Sequence, residues 1–325
     1  MKKISWILLF LSLTCFAQNP EKLEVGIYIN RIDSFDIKTG MAKIDFWLWG
    51  RRIGSDKPIL ATLEVSNGQI HSSGEIIKKR DGNTFYEAKR YSATVACRVN
   101  LKKFPFDRQT LNICIEDNEL LIDQMVFSAD TKNSRIDPSW RMNEWSISDL
   151  RCFTDDHLYP TSFGDPDVKE EEEGSRYSRL NIEVDLDRNG DFLSKCFKYF
   201  WAMIVSAAVG LAALWIRVID CDARFGMTVG ALFANIGCSF IIAEKLPDSP
   251  GMTVAELVSH VSLGVILLIL CESIVSLGVY NHEKKAASRR LDRWSFWTVS
   301  AAYALSVVCI LVRCCRGSAS AIPPG

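Results

Sequence analysis

DARFGMTVGALFANIGCSFIIAEKLPDSP, residues 222–250, has the length and apolar content of a membrane-crossing helix with one unusual line down it. At 100° per residue, Asp222, Gly226, Gly230, Phe233, Gly237, Phe240 and Glu244 fall within about 40° of a single line. The flanks, Met227, Val229, Leu232, Ile236, Ile241 and Ile242, are apolar enough for a bilayer. At ~1.5 Å per residue the terminal acids stand roughly 33 Å apart, about one hydrocarbon core. Ionisable residues at membrane depth are tolerated where they meet water or one another. The line is therefore expected to face a water-filled axis shared by several copies, with carboxylate rings at both mouths gathering cations and rings of Phe233 and Phe240 closing the path by dewetting. An alternative is that Gly226 and Gly230 form a small-xxx-small packing face against another helix of the same subunit. Each glycine costs a helix roughly 1 kcal/mol against alanine, so clearance or close approach has to account for them. Asn235 falls on the opposite side and is expected to hydrogen-bond a neighbouring helix.

Outward from this stretch, the chain divides into a soluble half and a membrane half. Its 325 residues carry a net charge of −1 with 48% hydrophobic residues, a balance that argues against nucleic acid as a partner. Lys2 and Lys3, the apolar run Ile4 to Leu13 and the small-residue ending at Ala17 read as a secretory signal peptide, residues 1–17. From Lys22 to about Arg188 the period is two: Val25, Ile27 and Ile29; Ile44, Phe46 and Leu48; Leu111, Ile113 and Ile115; Leu180, Ile182, Val184 and Leu186 each alternate with mostly polar neighbours. Turn signals at Thr39-Gly40, Asn67-Gly68, Asp81-Gly82 and Gly164-Asp165-Pro166 separate the runs. Short strands without a long amphipathic helix predict an all-β sandwich over residues 18–192.

Residues 193–316 then hold an all-α bundle of four spans, about 197–218, 223–244, 253–280 and 294–313, followed by a tail, 317–325, expected to be disordered. The connection Asn281–Arg293 carries Lys284, Lys285, Arg289, Arg290 and Arg293, so positive-inside puts it in the cytoplasm and the sandwich on the other side, in agreement with the signal peptide. Glu272, deep in the third span, is either functional or paired with Arg217 or a basic residue of that connection. The soluble half holds Cys97, Cys114 and Cys152, so at most one bridge forms within it. No cofactor motif is visible, and the histidines are scattered. The nearest thing to a metal site is Asp165, Asp167 and Glu170 on a loop, a charge run that is more often simply solvated.

The order of parts, together with Phe104-Pro105-Phe106-Asp107-Arg108-Gln109 in the sandwich and a second span ending in Leu246-Pro247 and Pro250, resembles the pentameric ligand-gated ion channels of the Cys-loop receptor superfamily. The likeness is to the bacterial members in particular: Cys97 sits where the first cysteine of the signature loop falls, but its partner position is Leu111. The resemblance implies a homopentamer around a central pore lined by the second span, with monovalent cations permeating and the β domain in the periplasm of an inner-membrane protein. It makes Asp222 the inner selectivity ring and Glu244 the outer mouth. Phe104, Pro105, Phe106 and Asp107 would rest on the linker that holds Lys245 and Pro247, and Arg188 would pair with acids there to couple sandwich to pore.

The family's ligand site lies between neighbouring sandwiches under a mobile loop, here about Asp155 to Arg176. Tyr159, Phe163 and Tyr177 are its aromatic candidates, with Phe127 and Asp130 on a facing loop. Rings near carboxylates suit an amine through cation–π contact, and protons are a second candidate agonist. Lys78, Lys79, Asp81, Glu87 and Arg90 are candidates for the complementary side, and Trp145 is expected to be packing. A receptor of the same architecture that binds without conducting is the alternative function. The chain has no nucleophile and base at motif spacing and no phosphate-binding glycine loop, so an enzyme is not expected.

Overall fold

A computed structural model describes residues 20–164, 174–247 and 251–316. The signal-peptide and tail expectations, and the acids Asp165, Asp167 and Glu170, lie outside those residues. Eleven strands come first: β1 (Glu21–Asp36), β2 (Met41–Ile53), β3 (Leu63–Val65), β4 (Gly68–Ser73), β5 (Ile77–Asp81), β6 (Thr84–Ala96), β7 (Arg108–Asp117), β8 (Met125–Ala129), β9 (Arg135–Ile136), β10 (Trp145–Tyr159) and β11 (Ser175–Arg188). They form two sheets. One has the order β4-β6-β2-β1-β8, with β5 beside β6 and β9 beside β1; the other runs β10-β11-β7-β3.

The alternation read from the sequence is the alternation of burial. Val25, Ile27, Ile29, Ile44, Phe46, Leu111, Ile113, Leu180, Ile182, Val184 and Leu186 are all fully buried in one core between the sheets. Each such side chain contributes about 1.5–3 kcal/mol by leaving water. Trp145 belongs to the same core. Gly40 turns β1 into β2 at φ 69°, where an added Cβ would stand 2.8 Å from the carbonyl oxygen of Cys97. Cys97, Cys114 and Cys152 are all free thiols.

Four helices follow: α1 (Phe192–Ala212), continued by a 3₁₀ turn at Ala213–Trp215, α2 (Cys221–Lys245), α3 (Val254–Asn281) and α4 (Lys285–Arg316). Each is long and apolar enough to cross a membrane. The helix ends differ from the expected spans. The basic segment 285–293 is the first turns of α4 rather than a loop, anchored where buried Ser288 meets Ser276 of α3 at 2.8 Å between hydroxyl oxygens. α3 begins with a capping box in which Thr253 and Glu256 satisfy each other's backbone N–H groups, ending the linker from α2 sharply.

Arg224 sets how α2 is rotated in the bundle. The side chain is fully buried. Its Nη2 donates to Glu272 Oε2 at 2.6 Å and to Asp292 Oδ1 at 3.0 Å, and its Nε donates to Ser273 Oγ at 2.8 Å. One guanidinium thus ties α2 to α3 and α4. Glu272 therefore pairs with Arg224, not with Arg217, which instead holds Asp220 at 3.0 Å. Asn235 repeats the arrangement further along, donating to the Ser259 carbonyl at 3.2 Å and accepting from Ser206 at 3.4 Å.

Removing one member of a buried charge cluster leaves the others uncompensated. Arg224→Met is expected to lower stability by about 3–5 kcal/mol, read as a lower thermal midpoint of the detergent-solubilised protein. A midpoint unchanged by the substitution would mean that Glu272 and Asp292 do not depend on Arg224.

Candidate functional site

With Arg224, Thr228, Ala231, Asn235 and Ile242 turned inward, the opposite face of α2 is bare. Asp222, Gly226, Gly230, Gly237 and Glu244 are exposed on it, as are Phe233 at 68% and Phe240 at 71%. A Cβ built on Gly226, Gly230 or Gly237 would meet nothing within 4 Å. This corrects the packing alternative: among the described residues, no helix of the same subunit packs on those glycines. Acids at both ends and large rings between them stay together on a surface that this subunit does not cover.

The outer end of α2 meets the sandwich. Phe104 is 2% exposed and packs with Phe200 and Met203 of α1, Ile242 and Leu246 at the end of α2, and Val254 and Ala255 at the start of α3. Its carbonyl accepts from the Ala255 N–H at 3.3 Å, and its ring meets Tyr199 edge-on with centroids 5.0 Å apart. The Phe104–Pro105 peptide bond is cis, and Pro105 is buried. Phe106 stacks on Phe192 at 5.1 Å. Asp107 accepts two bonds from Arg188, at 2.8 and 3.2 Å, and a third from Gln109 Nε2 at 2.7 Å. Arg188 also lies over Trp145 at 4.3 Å and over Phe104 at 5.0 Å.

Among the described residues, Arg188 therefore pairs with an acid of the Phe104–Asp107 loop itself; Asp248 of the linker lies outside them. Lys245 is exposed and lines a small cavity, about 140 Å³, against Phe104; Pro247 is half-buried. One contact escaped the sequence analysis: Lys38, on the turn between β1 and β2, donates to the Glu244 carbonyl at 3.1 Å. The turn was legible from Thr39-Gly40, but not which end of the sandwich it occupied.

A second group of candidates gathers at the far end of the β10–β11 pair. Tyr159 meets His157, Phe163 and Tyr177 with ring centroids at 4.5, 5.5 and 5.8 Å. Its hydroxyl donates to Glu116 Oε2 at 2.8 Å and accepts from Arg179, which is itself ion-paired with Glu116. Burial first, then the Glu116 carboxylate, push the Tyr159 phenol above its ordinary pKa. The strands run to Tyr159 and resume at Ser175, so the expected loop is shorter than the segment Asp155 to Arg176. Phe163 sits at its edge, 64% exposed and at φ 55°.

Two ligand candidates do not join this cluster. Phe127 is 2% exposed and belongs to the sandwich core, because Met125 and Phe127 are the inward positions of β8. That corrects its assignment; the period of two already contained the signal. Asp130 is 4% exposed, with its carboxylate taken up by Trp49 Nε1 at 3.2 Å and Arg51 Nη2 at 2.8 Å. On the proposed complementary side, Glu87 is fully buried against the N–H groups of Ile59 and Leu60 at 2.8 and 3.0 Å, and Arg90 is held by Asp45 at 2.9 Å. Lys79 and Asp81 remain exposed on β5. Among the described residues, no group of three or more His, Cys, Asp or Glu side chains is arranged to hold a metal ion.

No family model matches the chain. Individual proteins do. The chain is 22% identical over 258 residues to a proton-gated ion channel of Gloeobacter violaceus, covering 73% of this chain and 67% of that one. It is 21% identical over 310 residues to the gamma-aminobutyric acid receptor subunit beta-4 of Gallus gallus, covering 86% of this chain and 60% of the subunit. It is 24% identical over 169 residues to the pH-sensitive chloride channel 2 of Anopheles gambiae, covering 52% and 26%. The chain thus spans about two thirds or less of the length of each. All three are channels or receptors, none an enzyme.

The buried acids of the sandwich make its stability depend on pH in a definite direction. Burial is the largest influence on Asp45, Glu87 and Asp130 and raises their pKa values. It is outweighed by Arg90 and Asn30 at Asp45, by Leu60, Ile59 and Lys78 at Glu87, and by Asn133, Trp49 and Arg51 at Asp130. All three end below their ordinary values of 3.8, 4.5 and 3.8. Their stabilisation is thus fully present above the ordinary carboxylate range and is lost as pH falls through the lowered folded values. The thermal-midpoint gap between the natural protein and Glu87→Gln is expected to be constant from neutral pH down to that range and to narrow below it. A gap that widened on acidification would reverse the sign assigned here.

Proposed function

We propose, from the premise that this chain belongs to the Cys-loop superfamily of ligand-gated channels, that five copies ring an axis and conduct cations along the bare face of α2. The observation that carries this is the exposed line from Asp222 to Glu244. Among the described residues, its rings and acids are exposed and nothing lies within 4 Å of a Cβ at its glycines. In a lone helix facing lipid, two exposed carboxylates and three bare glycine backbones would be costly; around an aqueous axis they are solvated. Asp222 forms the inner cation-gathering ring and Glu244 the outer one. Phe233 and Phe240 form the levels at which the path dewets, and Gly226, Gly230 and Gly237 widen it between them.

Opening is driven from the sandwich, which lies outside the cytoplasm. The agonist, an amine or protons, acts at the cluster of Tyr159, Phe163 and Tyr177. The response reaches α2 and α3 through Phe104, Pro105, Phe106, Asp107 and Arg188 on one side and Lys38 on the other, with Lys245 and Pro247 as the moving linker. The support for this route is that Phe104 packs on the ends of both helices. Asp45, Glu87 and Asp130 stay ionised through the mildly acidic range, so a proton response draws on other groups.

Two of the similar proteins are named for gamma-aminobutyric acid and for chloride, which makes the sign of the permeant ion the decisive measurement. Purified protein in a planar bilayer under a salt gradient is expected to pass current with a cation reversal potential as the outer pH is lowered or amines are added. Asp222→Lys is expected to move that potential towards the anion value. An unchanged potential removes Asp222 from selectivity, and silence under every condition from protein of pentameric size favours a receptor that binds without conducting. Phe240→Ser is expected to raise the current without agonist, since a hydroxyl wets the narrow level. A closed channel with Phe240→Ser would move the gate away from that ring.

A further inference from the structure

The two ends of the exposed line on α2 differ in the charges that stand beside them. At the end remote from the sandwich, Asp222 is exposed. The basic groups nearest it in sequence are engaged elsewhere: Arg224 is fully buried on Glu272 and Asp292, and Arg217 holds Asp220 at 3.0 Å. Among the described residues, no basic side chain pairs with Asp222. At the sandwich end Glu244 is also exposed, but Lys38 meets it from the turn between β1 and β2, its ammonium donating to the Glu244 carbonyl at 3.1 Å. A carbonyl carries no net charge, so the lysine brings a full positive charge to the residue whose carboxylate ends the line. The turn that carries it is fixed by Asp36, whose carboxylate accepts from the Lys38 N–H at 2.9 Å and from the Thr39 hydroxyl at 2.8 Å. Lys245 lies on the flank of the helix, beside Phe104. Among the described residues, Asp36 and Lys38 on the turn and Glu244 and Lys245 on the helix therefore balance, against an unopposed acid at the other end.

The local concentration of an ion at a pore mouth follows the local potential, and exposed charges act on it over the Debye length, about 10 Å at 0.1 M salt and about 3 Å at 1 M. A mouth ringed by unopposed carboxylates is supplied with cations faster than a neutral one. Resting on the pore reading above, we infer that Lys38 sets the cation supply at the sandwich-side mouth. Five ammonium groups there offset the Glu244 ring, while the Asp222 ring keeps its full charge. Cations therefore leave through the sandwich side more readily than they enter from it, and the open pore rectifies in that direction. Because the lysine bonds to the carbonyl, both charges stay in water, and the offset weakens as salt is added. The group that governs ion supply at this mouth thus belongs to the sandwich and not to the helix that lines the path.

The test is the single-channel amplitude of the purified full-length protein in a planar bilayer, read for both directions of current in symmetric salt at about 0.1 M and about 1 M. Amplitude does not depend on how often the channel opens, so a role of Lys38 in opening does not enter it. Lys38→Met is expected to raise the cation current entering from the sandwich side roughly twofold at the lower salt, to leave the opposite direction nearly unchanged, and to lose its effect at the higher salt. Lys38→Arg keeps the charge and is expected to match the natural protein. Rectification unchanged by Lys38→Met, or a change that persists at high salt or that Lys38→Arg shares, overturns the inference while the pore reading stands. A natural protein that passes no current overturns the pore reading and this inference with it. Should Lys38→Met not open, Glu244→Gln, which leaves the lysine unopposed, is expected to lower the current entering from the sandwich side at the lower salt, and an unchanged amplitude overturns the inference.

Discussion

A guanidinium buried away from water has to be paired, and the pairing of Arg224 is the constraint from which the geometry of the membrane half follows. Its partners come from two other helices, Glu272 and Ser273 on α3 and Asp292 on α4. Turning α2 by one residue, about 100°, would carry the side chain away from both carboxylates. Asn235 fixes the same rotation three turns further along through Ser206 and Ser259. With the polar inner face pinned at two heights, the opposite face is left to Asp222, the glycines, Phe233, Phe240 and Glu244. The surface proposed as the pore is thus the consequence of what the other side of the helix must satisfy.

Above the bundle, two adjacent strands connect the proposed ligand cluster with the membrane junction. β11 carries Tyr177 and Arg179 near its start and Arg188 at its end; β10 carries Trp145 at one end and His157 and Tyr159 at the other. At ~3.4 Å per residue, Tyr177 and Arg188 stand roughly 37 Å apart on one paired strand. Arg188 is held between Asp107, Trp145 and Phe104, and Phe104 is buried among the ends of α1, α2 and α3. The proposed route from the aromatic cluster to the helix ends thus runs along one strand pair. The turn holding Lys38 provides a second point of contact, directly on the last turn of α2.

Much of the candidate site was legible because helix and strand periods act locally. The line on α2 needed only the angle per residue, and the core of β11 needed only alternation. Misses came where a local rule was not carried through or where the partner was distant. Phe127 was taken from its place in a loop although Met125 and Phe127 alternate as an inward pair. Arg224 was overlooked although it falls nearly opposite Asp222 on the same wheel, where an ionisable side chain has to find an acid. Glu272 was singled out, but its partner lies 48 residues away, and nothing local distinguishes Arg224 from Arg217 or the basic residues of α4.

By itself, then, the sequence determined four apolar helices, an alternating sandwich before them, and which residues of α2 share a face, because each of these depends on neighbours a few positions apart. Tertiary structure alone decided that the glycines face open space, that Arg224 binds Glu272 and Asp292, and that Lys38 and Phe104 sit on the ends of the helices. It also decided that the arginines of α4 border a pocket with Trp215. These are contacts between segments tens to hundreds of residues apart. Burial and charge pairing select them from many local possibilities only when the whole chain has packed.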